Sequence, residues 1–173
     1  MSDMAASWTW PAEGFYVDVR TLTLRTDRPR QVLDLTPQLA ACVRESGLVA
    51  GLASVQVLHT TAGLLLNEHE PLLLEDLERM LERLAPRGLA YRHDEMALRV
   101  PPPPPDERRN GHAHCQALLL RSSETVHVRG GALVLGRWQR LLLAERDGPQ
   151  QRSLSIALLG TAQAERCSPG STW

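Results

Sequence analysis

The sequence contains no lysine, few aromatic residues and few cysteines. All 19 basic residues of the 173-residue chain are arginine, and aromatic side chains make up only 4%. The absence of lysine excludes a Schiff-base mechanism and the Gly-Lys-Ser/Thr phosphate loop. The net charge of −1 excludes a strongly basic nucleic-acid binder. With 43% hydrophobic residues, the chain has the composition of one folded domain with a mainly aliphatic core.

The cysteines and the chain start bear on the cellular compartment. Cys42, Cys115 and Cys167 are odd in number and form no CxxC pair, which argues against a disulfide framework or a four-cysteine zinc site. The first ten residues lack the basic and apolar regions of a signal peptide, and no stretch approaches about 18 consecutive apolar residues. We therefore expect a cytoplasmic protein that binds neither membranes nor nucleic acid.

Two helices are indicated by periodicity and by end signals. Apolar residues recur at helical spacing over 71–84, where Leu73, Leu77, Leu81 and Leu84 form one stripe and Glu78 is on the solvent side. A second helix is expected over 36–47, where Thr36 is placed to cap the first turn and Gly47 to end the last.

The remaining pattern is that of short strands, so the predicted fold class is α+β, a single domain with a mostly antiparallel β-sheet or sandwich. Strands are expected over 15–25, 53–60 and 115–121, the last of which could begin at residue 111, followed by four further short strands after residue 123. The expected organisation is a flexible tail over 1–14, a domain over 15–160 with a proline-rich loop over 97–109, and a second flexible tail over 161–173. The run Pro101–Pro105 is expected to be an exposed spacer in polyproline II conformation.

The segment NGHAH (110–114) carries the sharpest local signal for chemistry. On a strand, residues two apart point to the same face, so His112 and His114 would converge and could chelate a divalent metal. The alternative is a pair of strand-edge histidines hydrogen-bonded to backbone and water. Cys115 would then face the opposite side and lie in the core.

Other candidates lie in the polar junctions between predicted elements. His59 ends a predicted strand and is followed by Thr60 and Thr61, whose hydroxyls could bind an anion or orient the imidazole. Asn67 and Glu68 precede the second helix, where the Glu68 carboxylate either caps that helix or faces a site. The cluster His93-Asp94-Glu95 is either a solvated charge cluster or, beside other histidines, a source of ligands and a general base. The last candidates are Trp138, Gln139, Glu145 and Arg152, in two turns that suit either a substrate pocket or capping and packing.

The order of these motifs resembles a known family. HTTAG-LLLNE (59–68), an amphipathic helix, YRHDE (91–95), NGHAHCQALLL (110–120), GRWQ (136–139) and E-x-DGP-x-x-R (145–152) follow one another as in the YjbQ family. The resemblance implies an α+β homotrimer with secondary thiamine-phosphate synthase activity, which joins a pyrimidine diphosphate to a thiazole phosphate. It also implies a divalent metal, Zn or Mg, at a cluster of histidines and acids.

The matching positions give a candidate site in three groups. The metal ligands would be His59, His112 and His114; the catalytic residues Glu68, His93, Asp94 and Glu145; and the substrate-binding residues Thr60, Thr61, Asn67, Trp138, Gln139 and Arg152. The chain departs from the family pattern in its long proline-rich loop, where Asp106 and Glu107 would have to replace acidic loop residues. It also has Gln150 and Gln151 where arginines are usual, which leaves Arg152 as the matching cation for phosphate.

Two further functions remain open on the same residues. In the first, His59, His112 and His114 hold Zn²⁺, and Glu68 or Asp94 acts on bound water in a hydrolase or lyase of a small phosphorylated substrate. In the second, the protein is a non-catalytic trimer that binds a small anion at the histidines.

Overall fold

The computed structural model describes residues 3–12 and 15–162. These residues form nine strands, three α-helices and two single-turn 3-10 helices. In chain order they are β1 (Asp3–Ala12), β2 (Phe15–Arg25), β3 (Gln31–Asp34), α1 (Thr36–Ser46), β4 (Leu48–Val57), β5 (Ala62–Glu68), α2 (Pro71–Leu84), the 3-10 turns Arg92–Asp94 and Met96–Leu98, α3 (Gly111–Leu118), β6 (Ser123–Arg129), β7 (Ala132–Leu133), β8 (Gln139–Glu145) and β9 (Gln151–Ala162).

The strands form two antiparallel sheets that enclose an aliphatic core. The larger sheet has the order β1-β2-β9-β4-β6-β7 and the smaller one the order β3-β8-β5. Alternating residues such as Leu154, Ile156 and Leu158 of β9 are buried against Leu141 and Leu143 of β8 in one core cluster. The predicted α+β class with a mostly antiparallel sheet is confirmed. Among the described residues, no helix is long and apolar enough to cross a membrane.

Several elements lie where the sequence predicts them. Strand β2 has the predicted bounds, as does α2. Helix α1 ends at Gly47, whose φ of 73° is left-handed and favours glycine. Thr36 is not the cap of this helix: Leu35 occupies that position, and the Thr36 hydroxyl accepts the Leu141 N–H at 2.9 Å instead. This bond connects α1 to β8.

The ends of the chain differ from the expected tails. Residues 3–12, expected to lie in a flexible tail, instead form β1, which pairs antiparallel with β2. At the other end, β9 continues to Ala162, and residues 163–173 of the expected second tail lie outside the described residues.

The strand predicted over 115–121, with a start as early as residue 111, is wrong, because residues 111–118 form helix α3. A buried tertiary contact favours the helix: Gln116 donates to the Ala85 carbonyl at 2.8 Å, and its Oε1 accepts from Arg146 at 2.6 and 2.8 Å. Only a helix places Gln116 and Ala113 on one buried side of this segment. Cys115, expected in the core, is exposed on the other side.

Helix α2 buries the predicted stripe at Leu81 but departs from the prediction at two positions. Leu84 is exposed, while Glu78, expected on the solvent side, binds the buried Arg146 through two hydrogen bonds of 2.6 and 2.9 Å. Arg146 thereby ties α2 to α3, since it also contacts Gln116. A charged residue at a helical interface has no signature in hydrophobic periodicity, which explains the error.

Candidate functional site

Two histidines meet where the turn Arg92–Asp94 contacts helix α3. The rings of His93 and His114 pack edge to face, with centroids 4.6 Å apart and an interplanar angle of 67°. The Asp94 carboxylate accepts the N–H of Gly111 at 2.9 Å and so holds the turn against the start of α3. Gly111 is required there, since an added Cβ would lie 2.5 Å from the Cβ of Tyr91. Burial, with His93 nearby, lowers the pKa of His114, so its ring is neutral at pH 7.

His112 does not join this pair. Successive helical residues rotate by about 100°, so side chains two apart point away from each other. His112 lies near Tyr91, with ring centroids 6.5 Å apart, and burial together with Arg87 lowers its pKa. The predicted convergence of His112 and His114 on one point is therefore wrong.

Asp147, in the turn between β8 and β9, forms the other wall of the site. Asn110, at the start of α3, donates its Nδ2 to Asp147 Oδ2 at 2.8 Å, and Gln150 donates to the same oxygen at 3.2 Å. Asn110 Oδ1 and His93 Nε2 are both buried, and neither atom has a hydrogen-bond partner among the residues that the structure describes. Buried polar atoms are normally hydrogen-bonded, so two such atoms without partners on neighbouring segments call for an explanation.

Beneath this wall lies a buried ion pair, which together with its two threonine partners we call the polar floor (Thr26, Thr61, Glu145 and Arg152). Glu145 is 0% exposed and Arg152 2%. Arg152 donates Nε to Glu145 at 2.6 Å and Nη2 to the Thr61 hydroxyl at 3.0 Å. The Thr26 hydroxyl donates to Glu145 at 3.0 Å, and Glu145 in turn accepts the Asp147 N–H at 2.8 Å.

The polar floor positions the turn that carries Asp147. Burial alone would raise the pKa of Glu145, but the hydrogen bonds from Arg152 and the Asp147 N–H hold it below its ordinary value of 4.5. Glu145 is thus a carboxylate bound to Arg152, and Arg152 is engaged within the protein at both Nε and Nη2. The arginine that the sequence offers for phosphate binding is used for internal structure.

His59 lies two residues after β4 and beside the polar floor. Its Nε2 accepts the N–H of Ser153 at 2.8 Å, and burial, followed by the charge of Arg152, lowers its pKa. The lone pair that would bind a metal is therefore occupied by the backbone. Thr60 is exposed, whereas Thr61 is buried in the polar floor.

The remaining predicted site residues lie at the opposite end of the smaller sheet. Strands β5 and β8 are antiparallel, with Ala62 opposite Glu145 at one end and Glu68 opposite Gln139 at the other. Six residue steps separate these ends, about 20 Å at the strand rise. Asn67 and the exposed Trp138 belong to the Glu68 end, and the Arg137 guanidinium stacks 4.6 Å above the Trp138 ring.

Glu68 does not cap α2. That role belongs to Glu70, whose carboxylate accepts the N–H groups of Leu72 and Leu73 at 3.0 and 2.8 Å. Glutamate is uncommon at this position, so capping preferences did not point to it.

The residues of one chain do not fit a self-contained metal site. Within residues 3–12 and 15–162, no group of three or more His, Cys, Asp or Glu side chains is placed to hold a metal ion. The structure separates the three proposed ligands: His59 binds the backbone, His112 faces Tyr91 and His114 packs on His93.

Two residues that build the site, Asn110 and Asp147, are absent from the predicted set. Both stand in motifs that were recognised, NGHAH and DGP, but neither residue was given a role there. Their significance depends on the contact between them, which joins residues 37 positions apart in the chain.

Comparison with known proteins identifies a family that shares this sequence pattern and fold. Residues 20–161 match a family model described as "UPF0047 protein YjbQ-like". A UPF0047 protein of Archaeoglobus fulgidus is 38% identical over 138 residues, which cover 80% of this chain and 98% of that protein. A YbjQ-like protein of unknown function from Sulfolobus solfataricus P2 has a similar crystal structure, with 30% identity, a TM-score of 0.75, and coverage of 84% of this chain and 99% of that one. A hypothetical protein from Aeropyrum pernix K1 is 35% identical, with a TM-score of 0.70 and coverage of 82% and 96%.

Proposed function

The chain belongs to the YjbQ-like family of UPF0047 proteins, and we propose that it is an enzyme that handles a small phosphorylated substrate at the His93–His114 pair. The observation that carries the proposal is the edge-to-face contact of these rings, with centroids 4.6 Å apart, in which the buried Nε2 of His93 has no hydrogen-bond partner among the described residues. The reaction proposed is the secondary thiamine-phosphate synthase reaction. A neutral histidine, a nearby carboxylate and unsatisfied polar atoms together are typical of a catalytic site.

The chemistry of this reaction requires little beyond positioning and charge stabilisation. The thiazole nitrogen attacks the methylene carbon of the pyrimidine diphosphate; the new C–N bond forms as the C–O bond breaks, and pyrophosphate departs with the electron pair. His114, neutral because burial and His93 lower its pKa, has one N–H and one lone pair. It can donate a hydrogen bond to the departing oxygen as negative charge develops there.

No step of this mechanism is assigned to a metal, because the described residues of one chain lack a group of three ligands. The prediction of Zn or Mg at His59, His112 and His114 stays a prediction, as does the cytoplasmic location. The hydrolase and anion-binding alternatives use the same histidines, and no contact among residues 3–12 and 15–162 favours either of them.

The test is formation of thiamine phosphate from the two phosphorylated precursors by the purified protein, measured by mass spectrometry in the presence of Mg²⁺. We expect His114→Ala to lower kcat by about 100-fold or more, the usual contribution of a positioned acid–base group. The matched control is His127→Ala, an exposed histidine of β6, which should leave the rate unchanged. Both variants should melt within about 2 °C of the wild type, because neither removes a core side chain.

Two results would contradict the proposal. If the wild-type protein forms no more product than a reaction without protein, the assigned reaction is wrong. If His114→Ala is as active as the wild type, the reaction takes place elsewhere.

We further propose that the chain assembles as a homotrimer, in which residues near the Glu68 end of β5 complete the His93–His114 site of a neighbouring subunit. Leu118 is 83% exposed and Trp138 59%. A groove of about 370 Å³ beside them is lined mainly by leucines of β5 and of the segment after α3. Exposed apolar side chains of this kind fit a second copy of the chain. A shared site would also bring together the predicted residues that one chain holds about 20 Å apart.

Light scattering of the purified protein tests this assembly. We expect three times the chain mass of 19.2 kDa, and a lower mass for Leu118→Asp, which places a charge in the proposed contact. A monomeric mass for the wild type would overturn the assembly while leaving the activity assay to decide the reaction.

A further inference from the structure

A cleft that the proposed reaction does not use lies beside helix α3. It has a volume of about 870 Å³, and the described residues that line it include Tyr91 and His112 but neither His93 nor His114. This volume is within the range of small-molecule sites. We call it the Tyr91 cleft. It is a concave surface distinct from the contact between the rings of His93 and His114.

One side of the Tyr91 cleft is held in place by hydrogen bonds. The Tyr91 hydroxyl donates to the Pro86 carbonyl at 2.9 Å, and Asp94 Oδ1 accepts the Gly111 N–H at 2.9 Å. The two side chains lie next to each other, since a Cβ added at Gly111 would be 2.8 Å from Tyr91 Cγ and 3.2 Å from Asp94 Oδ1. An aromatic ring beside a carboxylate is a favourable environment for an organic ammonium group.

Two exposed arginines, Arg87 and Arg109, line the same cleft. Arg87 binds Glu82 through its backbone N–H at 2.9 Å, and among the described residues neither guanidinium forms a hydrogen bond or an ion pair. A guanidinium group can bind a carboxylate through two parallel hydrogen bonds. Asp94 and Glu95 also line the cleft but form no ion pair with either arginine, so the cleft presents unpaired charges of both signs.

The Tyr91 cleft also has an apolar wall. Leu89, Met96 and Leu98 line it, and the two leucines are 58% and 63% exposed. Exposed apolar side chains within a concave surface that also carries a few polar groups are typical of ligand sites. His112 adds a polar group without a net charge at pH 7, because burial and Arg87 lower its pKa.

We propose that the Tyr91 cleft binds a free α-amino acid with a large apolar side chain. The ammonium group pairs with Asp94 beside the Tyr91 ring. The carboxylate pairs with Arg87 and Arg109, and the apolar side chain packs on the leucines. A ligand with charge of one sign would face like charges in the cleft, which electrostatic complementarity disfavours. The inference goes beyond the proposed reaction and does not depend on it.

The experiment compares three probes that share a phenyl ring. L-phenylalanine carries both charged groups, 2-phenylethylamine lacks the carboxylate, and 3-phenylpropanoate lacks the ammonium group. Dissociation constants are measured by ligand-observed NMR with the full chain at pH 7. We expect the wild type to bind L-phenylalanine about tenfold or more tightly than either analogue, because each analogue leaves charged groups of the cleft unpaired. Glycine, which keeps both charges without the ring, should not displace L-phenylalanine.

Two variants remove one kind of charge each. Arg109→Gln should weaken binding of L-phenylalanine about tenfold and leave 2-phenylethylamine unchanged, because that probe has no carboxylate. Asp94→Asn keeps an oxygen for the Gly111 N–H, and it should weaken L-phenylalanine and 2-phenylethylamine but not 3-phenylpropanoate. The matched control is Arg44→Gln, which removes an exposed arginine of α1 that does not line the cleft. It should leave all three dissociation constants unchanged.

The pattern across probes and variants decides the inference. If L-phenylalanine binds no more tightly than its analogues, or does not bind measurably, the amino-acid site is wrong. If Arg44→Gln weakens binding as much as Arg109→Gln does, the probes respond to the overall surface charge, and the inference is wrong as well. None of these results bears on the formation of thiamine phosphate, which the activity assay decides separately.

Discussion

Two buried polar regions lie side by side in this molecule and differ in how fully they are hydrogen-bonded. In the polar floor, Glu145 accepts bonds from Arg152, Thr26 and the Asp147 N–H. At the contact between the turn Arg92–Asp94 and helix α3, two buried polar atoms, Asn110 Oδ1 and His93 Nε2, have no hydrogen-bond partner among the described residues. A fully bonded buried network contributes rigidity, whereas an unsatisfied one carries a free-energy cost that a ligand can remove. The first region is therefore scaffold, and the second lies next to the His93–His114 pair at which we propose that the substrate binds.

A second bonded network strengthens this contrast. Arg146 is buried and uses its guanidinium on Glu78 of α2 and Gln116 of α3, while its backbone N–H donates to the Thr61 carbonyl. Arg146 stands between Glu145 and Asp147 in the chain, so both networks brace the turn that holds Asn110. Two buried networks, each built on an ion pair, therefore hold this part of the site in position.

The largest effect is expected from breaking the polar floor. Arg152→Met leaves the Glu145 carboxylate buried without its cation, and the loss of one partner from a buried pair costs about 3–5 kcal/mol. For a domain of this size, that corresponds to a fall in Tm of about 6–20 °C. Thermal and urea unfolding measure the change. A loss below about 1 kcal/mol would show that the pair behaves like an exposed one and that the proposed division between scaffold and ligand site is wrong.

A double variant and acid unfolding sharpen the same prediction. In Glu145→Gln with Arg152→Met the buried charge is gone, and the glutamine oxygen can still accept the Asp147 N–H, so we expect recovery of about 1–2 kcal/mol. The pKa of Glu145 is depressed in the folded state, so its stabilising contribution is present above pH 4.5 and is lost as the pH falls through the lower folded value. The double variant should lack this part of the acid dependence, whereas an unchanged acid transition would exclude Glu145 as its source.

Much of the fold follows from local sequence signals. Helix α2 and strand β2 have their predicted bounds, because each combines a sustained periodic pattern with clear breakers at its ends. The family inferred from the order of the motifs is also confirmed by the match over residues 20–161. These signals are carried by neighbouring residues and need no knowledge of tertiary contacts.

Helix α3 shows where such reasoning fails. It has eight residues, too few for its periodicity to distinguish a helix from a strand. The helical conformation is favoured instead by the buried contact of Gln116 with Ala85 and Arg146, which are about 30 positions away in the chain. The error in α3 then produced the error at His112, because the face of a residue depends on its secondary structure.

The candidate site was predicted as one set because its motifs follow one another along the chain. An antiparallel sheet separates such motifs: β5 and β8 place Thr61 and Glu145 at one end and Glu68 and Gln139 at the other. Arg152 likewise had the right chemistry for phosphate, but its bond to Glu145 at 2.6 Å is a property of the folded chain. The residue types were informative, and their distances from one another were not available from the sequence.

The smallest effect is expected in the loop that carries Pro101–Pro105. Four of these five prolines are exposed, and the ion pair between Arg99 and Glu107 closes the loop on its outer side. Deletion of Pro102 and Pro103 keeps that pair and changes the loop-closure entropy by only a fraction of 1 kcal/mol. We therefore expect Tm to move by less than about 2 °C in a thermal melt.

A variant of unchanged length separates the two possible contributions of this loop. Alanine at both positions keeps the spacing but frees the unfolded chain, which costs up to about 1 kcal/mol for each proline replaced. This variant should therefore melt slightly lower than the deletion variant. A loss of several degrees in the deletion variant would show instead that the prolines pack against the domain or a neighbouring subunit, and the loop would then belong with the polar floor as part of the scaffold.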